Sequence, residues 1–195
     1  KDEGRMERKS KVLVLGCGSI GERHIKNLLS LGQTVFVYDK NLFQMENMTS
    51  KYGAPVYDFK SQHIPLDAFV ICTPPNFHIP FAREAIEHNS HIFVEKPLSH
   101  TLDGVDEVIS EAKKMNLVLQ VGYQFRFHSG LQLAKQLLDE GRIGKLLSIR
   151  AEFGQNLQQL HPQEDYRTLY TCYEKQGGGI ILDASHEIDY VRWLA

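Results

Sequence analysis

Three glycines, Gly16, Gly18 and Gly21, stand between a short apolar run at residues 11–15 and a segment at residues 20–31 whose apolar positions repeat at helical spacing. Gly32 closes that segment. A strand that runs through such a turn straight into a helix has few architectures open to it. The first glycine permits a tight turn, the second lets a phosphate approach the backbone, and the third lets helix pack on strand. The helix opens near Ser19 and Ile20, so its unpaired amides and positive dipole end face whatever fills the turn. Phosphate is the matching ligand chemistry. Glycine-rich turns also occur in methyltransferases and unrelated loops, and the flanking strand and helix are what point to a nucleotide.

The rest of the chain extends this beginning. Residues 34–38 read as a strand, 42–52 as a helix, 55–57 as a short third strand and 68–72 as a fourth. A helix at 77–88 ends at Asn89-Ser90, a fifth strand covers 91–94, and Val105, Val108, Ile109 and Ala112 mark a helix at 102–115. A sixth strand covers 117–121. Such alternation predicts an α/β fold, a doubly wound, mostly parallel Rossmann sheet over residues 11–122 with helices on both faces.

Beyond residue 123 the pattern changes. A helix at 131–140 and a longer strand at 145–154 precede a polar, aromatic-rich stretch at 155–176 with no clear period. Ala184, Ile188, Val191 and Ala195 then recur at helical spacing over 181–195, with no capping signal. Residues 123–195 are therefore expected to open an incomplete α+β substrate domain of a longer protein.

Composition limits the partners. With 195 residues, 42% hydrophobic, the chain can bury one good core, and a formal charge of −2 gives no general attraction to nucleic acids or anionic membranes. Cys17, Cys72 and Cys172 show no metal or redox spacing, which fits reduced thiols in a cytoplasm. No apolar stretch approaches the roughly 20 residues of a membrane span, and no signal-peptide core is present. Residues 1–10 are charged or small and read as a disordered tail, with Met6 as a natural start.

In a sheet of this class ligands bind beyond the carboxyl ends of the strands. Asp39 ends the second strand, where its carboxylate can hold both ribose hydroxyls of an adenosine, favouring NAD; Lys40 beside it keeps NADP possible. Helix capping is the alternative for Asp39. Thr73 and Pro74 follow the fourth strand, and His78 lies one turn into the next helix, either near a nicotinamide or simply packed. Glu95-Lys96-Pro97 follows the fifth strand. A lysine there, between a buried strand and a proline, is placed for proton transfer if burial beside a cationic ring lowers its pKa, the alternative being a plain pair with Glu95.

On a single helix Asp183, His186, Glu187 and Tyr190 would share one face and present acid, imidazole and phenol to a cleft. The alternatives are a solvated face or, with Asp189, a metal site, although the set lacks a convincing third ligand and no metal is expected. Gly177-Gly178-Gly179 allows close approach to a ligand or a neighbouring element.

Taken in order, these motifs resemble the Gfo/Idh/MocA family of nicotinamide-dependent oxidoreductases. The resemblance implies hydride transfer between NAD(P) and a secondary alcohol, with Lys96 as the catalytic lysine and Asp183 and His186 as its partners from the second domain. The commoner family pattern separates that aspartate and histidine by four positions, whereas here they are three apart. Tyr123 and Arg126 are similar to the crossover into the substrate domain. His161-Pro162 and Asp165-Tyr166-Arg167 resemble a branch from bacterial surface-sugar pathways, which implies a sugar, amino sugar or nucleotide-sugar substrate contacted by His161, Tyr166 and Arg167. Family members continue past the equivalent of Ala195 with a large open sheet, and a homo-oligomer is expected at full length. A cofactor-binding sensor that has lost the chemistry is the rival reading.

Overall fold

The computed structural model describes residues 8–154, 156–160 and 165–195. Five strands, β1 (Lys11–Leu15), β2 (Thr34–Tyr38), β3 (Ala68–Ile71), β4 (His91–Val94) and β5 (Leu119–Val121), form one parallel sheet in the order β2-β1-β3-β4-β5. Four helices, α1 (Ser19–Ser30), α2 (Leu42–Tyr52), α3 (His78–Glu87) and α4 (Val105–Lys114), alternate with them. The sheet is the Rossmann sheet that the alternation of elements implies. The expected third strand shrinks to one parallel bridge between Val37 and Val56, because Pro55 has no N–H to donate to a ladder.

Both faces of the sheet are apolar because helices cover both. Val12, Val14, Val35, Val37 and Val70 point to one side, where Ile25 of α1 and Met45 and Met48 of α2 pack on them. Leu13, Leu15, Phe69, Ile71, Ile92 and Val94 point to the other, against Ile79, Ala82, Ala85 and Ile86 of α3 and Val108 and Ala112 of α4. Each of these side chains larger than alanine contributes about 1.5–3 kcal/mol of burial. From β1 the chain runs first to β2 on one side and then returns to β3 on the other. That reversal opens a crevice at the carboxyl ends of β1 and β3.

The chain divides into two compact units between Val121 and Gly122. The second contains α5 (Ser129–Asp139), α6 (Leu157–Leu160), α7 (Ile180–Asp183) and α8 (His186–Leu194), with short 3₁₀ turns in the stretch before α7. Two expectations change here. Residues 145–154 form no strand, since alternating side chains alone make no ladder and no partner strand lies among the described residues. The helix expected over 181–195 is two: Ala184 leaves helical geometry at φ −97° and ψ 37°, and buried Ser185 precedes a new start. At the N-terminal side, residues 1–7 of the expected tail lie outside the described residues. Ser10 is held, its N–H donating to Gln33 Oε1 at 2.8 Å and its carbonyl accepting from Thr34 at 2.9 Å.

Candidate active site

The glycine loop sits directly on the crevice. Gly16 has φ +94°, and a Cβ there would lie 2.7 Å from the Cys72 carbonyl oxygen at the end of β3. A Cβ on Gly21 would fall 1.8 Å from the Gly16 carbonyl oxygen, so only glycine lets α1 dock on the turn. Gly18 opens onto empty space, with nothing within 4 Å of its hypothetical Cβ. A side chain there would occupy the approach to the helix. The first helical bond of α1 runs from Glu22 N–H to Gly18 O at 2.8 Å, which places the amides of Ser19, Ile20 and Gly21 ahead of the i→i−4 ladder. Bare backbone at Gly18 beside amides that precede the helical ladder fits a pyrophosphate.

Asp39 is tied to the same loop. Its Oδ2 accepts from Cys17 N–H at 2.7 Å and its Oδ1 from Asn41 N–H at 2.9 Å. Helix α2 is capped by Asn41, whose Oδ1 accepts from Phe43 N–H at 3.1 Å, so capping is not the task of Asp39. Each carboxylate oxygen keeps a second lone pair, which suits ribose hydroxyls. Lys40 reaches the Phe77 ring, Nζ 5.8 Å from its centroid. Cys17 and Cys72 pack into the turn as thiols: burial first, then the Asp39 charge, pushes Cys17 up to about 12, and burial, then Glu95 and Cys17, raises Cys72 as well.

The loop after β3 carries Thr73 and Pro74. Thr73 Oγ1 and Asn76 Oδ1 are buried and meet no hydrogen-bond partner among the described residues, as polar atoms awaiting a ligand would be. Asn76 carried no sequence signal beyond its place in this loop. Of the two readings of His78, the structure shows the packed one: the side chain is 1% exposed. Its Nδ1 lies 2.8 Å from Pro97 O and its Nε2 2.8 Å from Thr73 O, joining the two strand-end loops. Carbonyls only accept, so the ring donates to both when doubly protonated and to one when neutral. Burial lowers its pKa, opposed by the Thr73 and Pro97 carbonyls and by Glu95.

Half-buried Lys96 follows β4 and precedes a cis peptide to Pro97. Glu95 Oε1 accepts from His24 Nε2 at 2.7 Å. His24 was invisible as a site residue in the sequence, since its partner lies 71 positions away.

The second unit holds the other polar residues. Asp183 closes α7, with Tyr170 Oη donating to its Oδ1 at 3.4 Å, and His186 opens α8. The imidazole of His186 leans on Phe125, centroids 4.7 Å apart, and meets Tyr123 edge-on at 5.8 Å. Tyr123 Oη is 3.5 Å from Ser185 Oγ. Phe125, Tyr170 and Ser185 are thus site neighbours that spacing did not reveal. Arg126 spends its guanidinium on Asp189, donating from Nε at 2.8 Å and Nη2 at 2.6 Å. Arg167 similarly grips Asp165 at 2.8 Å through two nitrogens, beside Tyr166 in an exposed 3₁₀ turn. His161 lies outside the described residues. Gly178 presses on the backbone of Tyr170, where a Cβ would be 2.5 Å from the carbonyl oxygen, so this glycine serves a neighbouring element. Among the described residues no group of three His, Cys, Asp or Glu is gathered for a metal.

A family model described as "Oxidoreductase family, NAD-binding Rossmann fold" matches residues 10–123, and the GFO/IDH/MocA C-terminal domain matches residues 131–195. The chain belongs to the GFO/IDH/MocA oxidoreductase family. It is 29% identical to scyllo-inositol 2-dehydrogenase (NAD(+)) of Bacillus subtilis (strain 168), over 97% of this chain and 55% of that protein. With the Thermotoga maritima myo-inositol 2-dehydrogenase it shares 28% identity, over 94% of this chain and 54% of the relative. The crystal structure of myo-inositol 2-dehydrogenase from Lactobacillus plantarum superposes with a TM-score of 0.84 at 26% identity, covering 96% of this chain and 57% of that one. The chain spans about half the length of the curated relatives it matches.

For a GFO/IDH/MocA chain the first unit is chemically coherent. It brings Gly16, Gly18, Ser19, Ile20, Gly21, Asp39, Lys40, Thr73, Pro74, Glu95 and Lys96 to one carboxyl edge of the sheet. Asp183, His186, Tyr123 and Arg126 belong to the second unit.

Proposed function

We propose that this chain is the cofactor-binding and proton-transfer part of an NAD-dependent dehydrogenase that oxidises a secondary alcohol on an inositol or sugar-like molecule. The observation that carries this reading is Lys96, set at the end of β4 on the same sheet edge as the open glycine cradle and Asp39. The named relatives support the substrate class. Among the similar solved structures is scyllo-inositol dehydrogenase from Lactobacillus casei with bound cofactor NAD(H) and scyllo-inositol, at 25% identity and a TM-score of 0.79.

The amides of Ser19 and Ile20 and the bare backbone at Gly18 hold the pyrophosphate. Asp39 accepts from the adenosine ribose, and its charge repels a 2′-phosphate, which favours NAD over NADP. Thr73, Pro74 and Glu95 border the nicotinamide end. The nicotinamide, when bound, supplies the hydride acceptor. Lys96 takes the hydroxyl proton that must leave with the hydride, and His186, oriented by Asp183, is its acid–base counterpart from the second unit. Tyr123, Tyr166 and Arg167 are assigned to substrate, as is Arg126, whose fork Asp189 already holds. The whole protein is expected to be a homo-oligomer.

The test is NADH formation by the whole protein against inositols, sugars, amino sugars and nucleotide sugars, with NAD or NADP supplied. At least one polyol should be oxidised, more efficiently with NAD. Lys96→Met should lower turnover by roughly 10²–10⁴-fold while the dissociation constant for NADH changes less than about threefold. Full turnover in that variant would reject the role of Lys96, and a preference for NADP would reject that of Asp39.

A further inference from the structure

One residue ties the glycine-loop helix to the lysine loop. His24 lies one turn beyond Gly21 on α1 and reaches across to β4. Its ring rests against Phe93, centroids 5.2 Å apart, and its Nε2 is 2.7 Å from Glu95 Oε1. A carboxylate oxygen only accepts, so Nε2 carries the proton and donates it into the bond. Phe93 and Glu95 are two residues apart and share the face of the sheet that α1 covers. The side chains are only 23% and 22% exposed, well below the exposure of an ordinary surface pair.

Glu95 is otherwise fixed through its backbone, its N–H donating to Ile71 O at 2.9 Å. Lys96 is the next residue, and on its far side Pro97 O meets His78 Nδ1 at 2.8 Å. The peptide that carries the lysine is therefore anchored before and after it. The His24 bond holds the Glu95 side chain, and the His78 bond holds the Pro97 backbone.

We propose that His24 is a positioning residue for Lys96: by holding the Glu95 carboxylate it fixes the strand-end peptide from which the lysine projects. It thereby couples the alignment of the proton-transfer group to the helix that opens at the glycine loop. This rests on the reading of Lys96 as the proton acceptor, and the test separates the two claims.

His24→Leu removes the donor while keeping an apolar group against Phe93, and His24→Gln restores an N–H donor. In the whole protein, His24→Leu should lower kcat by roughly ten- to a hundredfold, the range expected when a reacting group is misplaced by about an ångström. NADH affinity should stay within about threefold and His24→Gln should recover most of the loss. In ¹⁵N spectra of the 195-residue chain, His24→Leu should move the Glu95 and Lys96 amide resonances, and His24→Gln should return them toward their original positions. Unmoved Glu95 and Lys96 resonances, or kcat unchanged in His24→Leu, would overturn the proposal. So would a His24→Gln variant as slow as His24→Leu, or affinity for NADH falling in step with kcat. Lys96→Met is assayed alongside. If it retains turnover the reading of Lys96 fails, whereas the amide resonances still report whether His24 holds the peptide.

Discussion

Ile71 in β3 is fully buried, and Ile181 in α7 is 72% exposed, although both occur in apolar stretches of similar composition. The contrast extends to the units that contain them. Every buried large apolar side chain among the described residues belongs to the first unit, the last being Val108. In the second, Ile180, Ile181, Ile188 and Leu147 are all more than half exposed. The parallel sheet lies between two helix layers and closes its own core, whereas the second unit, in a chain about half the length of its relatives, consists of short helices and 3₁₀ turns among the described residues. The second unit is held instead by directional contacts such as the Arg126–Asp189 fork and the Tyr123, Phe125 and His186 ring cluster. In this chain the glycine loop thus rests on a packed scaffold, and Asp183 and His186 rest on lighter support.

The largest expected effect is at the junction of scaffold and site. Gly21→Val would drive a side chain into the Gly16 carbonyl, 1.8 Å from the first added carbon. It should abolish measurable NADH binding and cost more than about 3 kcal/mol in urea unfolding, the upper end for ordinary overpacking. Next, Ile71→Ala should cost about 2–5 kcal/mol by cavity formation, while Ile181→Ala should stay within about 0.5 kcal/mol. Equal costs in the two variants would erase the contrast between the units. A smaller effect concerns pH. Burial lowers the pKa of His78 from its ordinary 6.5, so as pH falls below 6.5 the unfolded chain takes up a proton before the folded one does. The His78 contribution is present above pH 6.5 and is lost on acidification toward its lowered value, so His78→Gln should flatten stability against pH in that window. An unchanged slope would show that His78 titrates as an ordinary histidine.

The sheet was legible in the sequence because its strands are buried on both faces and read as unbroken apolar runs, such as Val12 to Leu15 and Ile92 to Val94. The glycine loop was legible because its three glycines stand between a strand and a helix, and at Gly16 and Gly21 a local steric demand admits no larger residue. What escaped was whatever depends on a distant partner. Residues 145–154 alternate like a strand, but pairing needs a neighbour that periodicity cannot supply. Asp183 and His186 fit one helical face, yet the chain turns at Ala184 and Ser185, where two short helices give the same spacing as one. His24 offered no motif of its own, since its meaning lies in β4. Packing was one of the two sequence readings of His78, but its partners were not legible, because only the fold brings the Thr73 and Pro97 carbonyls to opposite sides of its ring.

Hydrogen exchange of the chain with and without saturating NADH reads the scaffold and the sheet edge in one experiment. The first unit should show slow exchange in β1 to β4 before any ligand is added, and the described residues of the second unit, 122–154, 156–160 and 165–195, should exchange faster. NADH should then protect residues 16–21, 39–41, 73–78 and 95–96, the loops at the carboxyl edge of the sheet. No added protection there at saturation, or protection confined to residues 122–195, would contradict a self-sufficient nucleotide-binding unit with Lys96 at its edge.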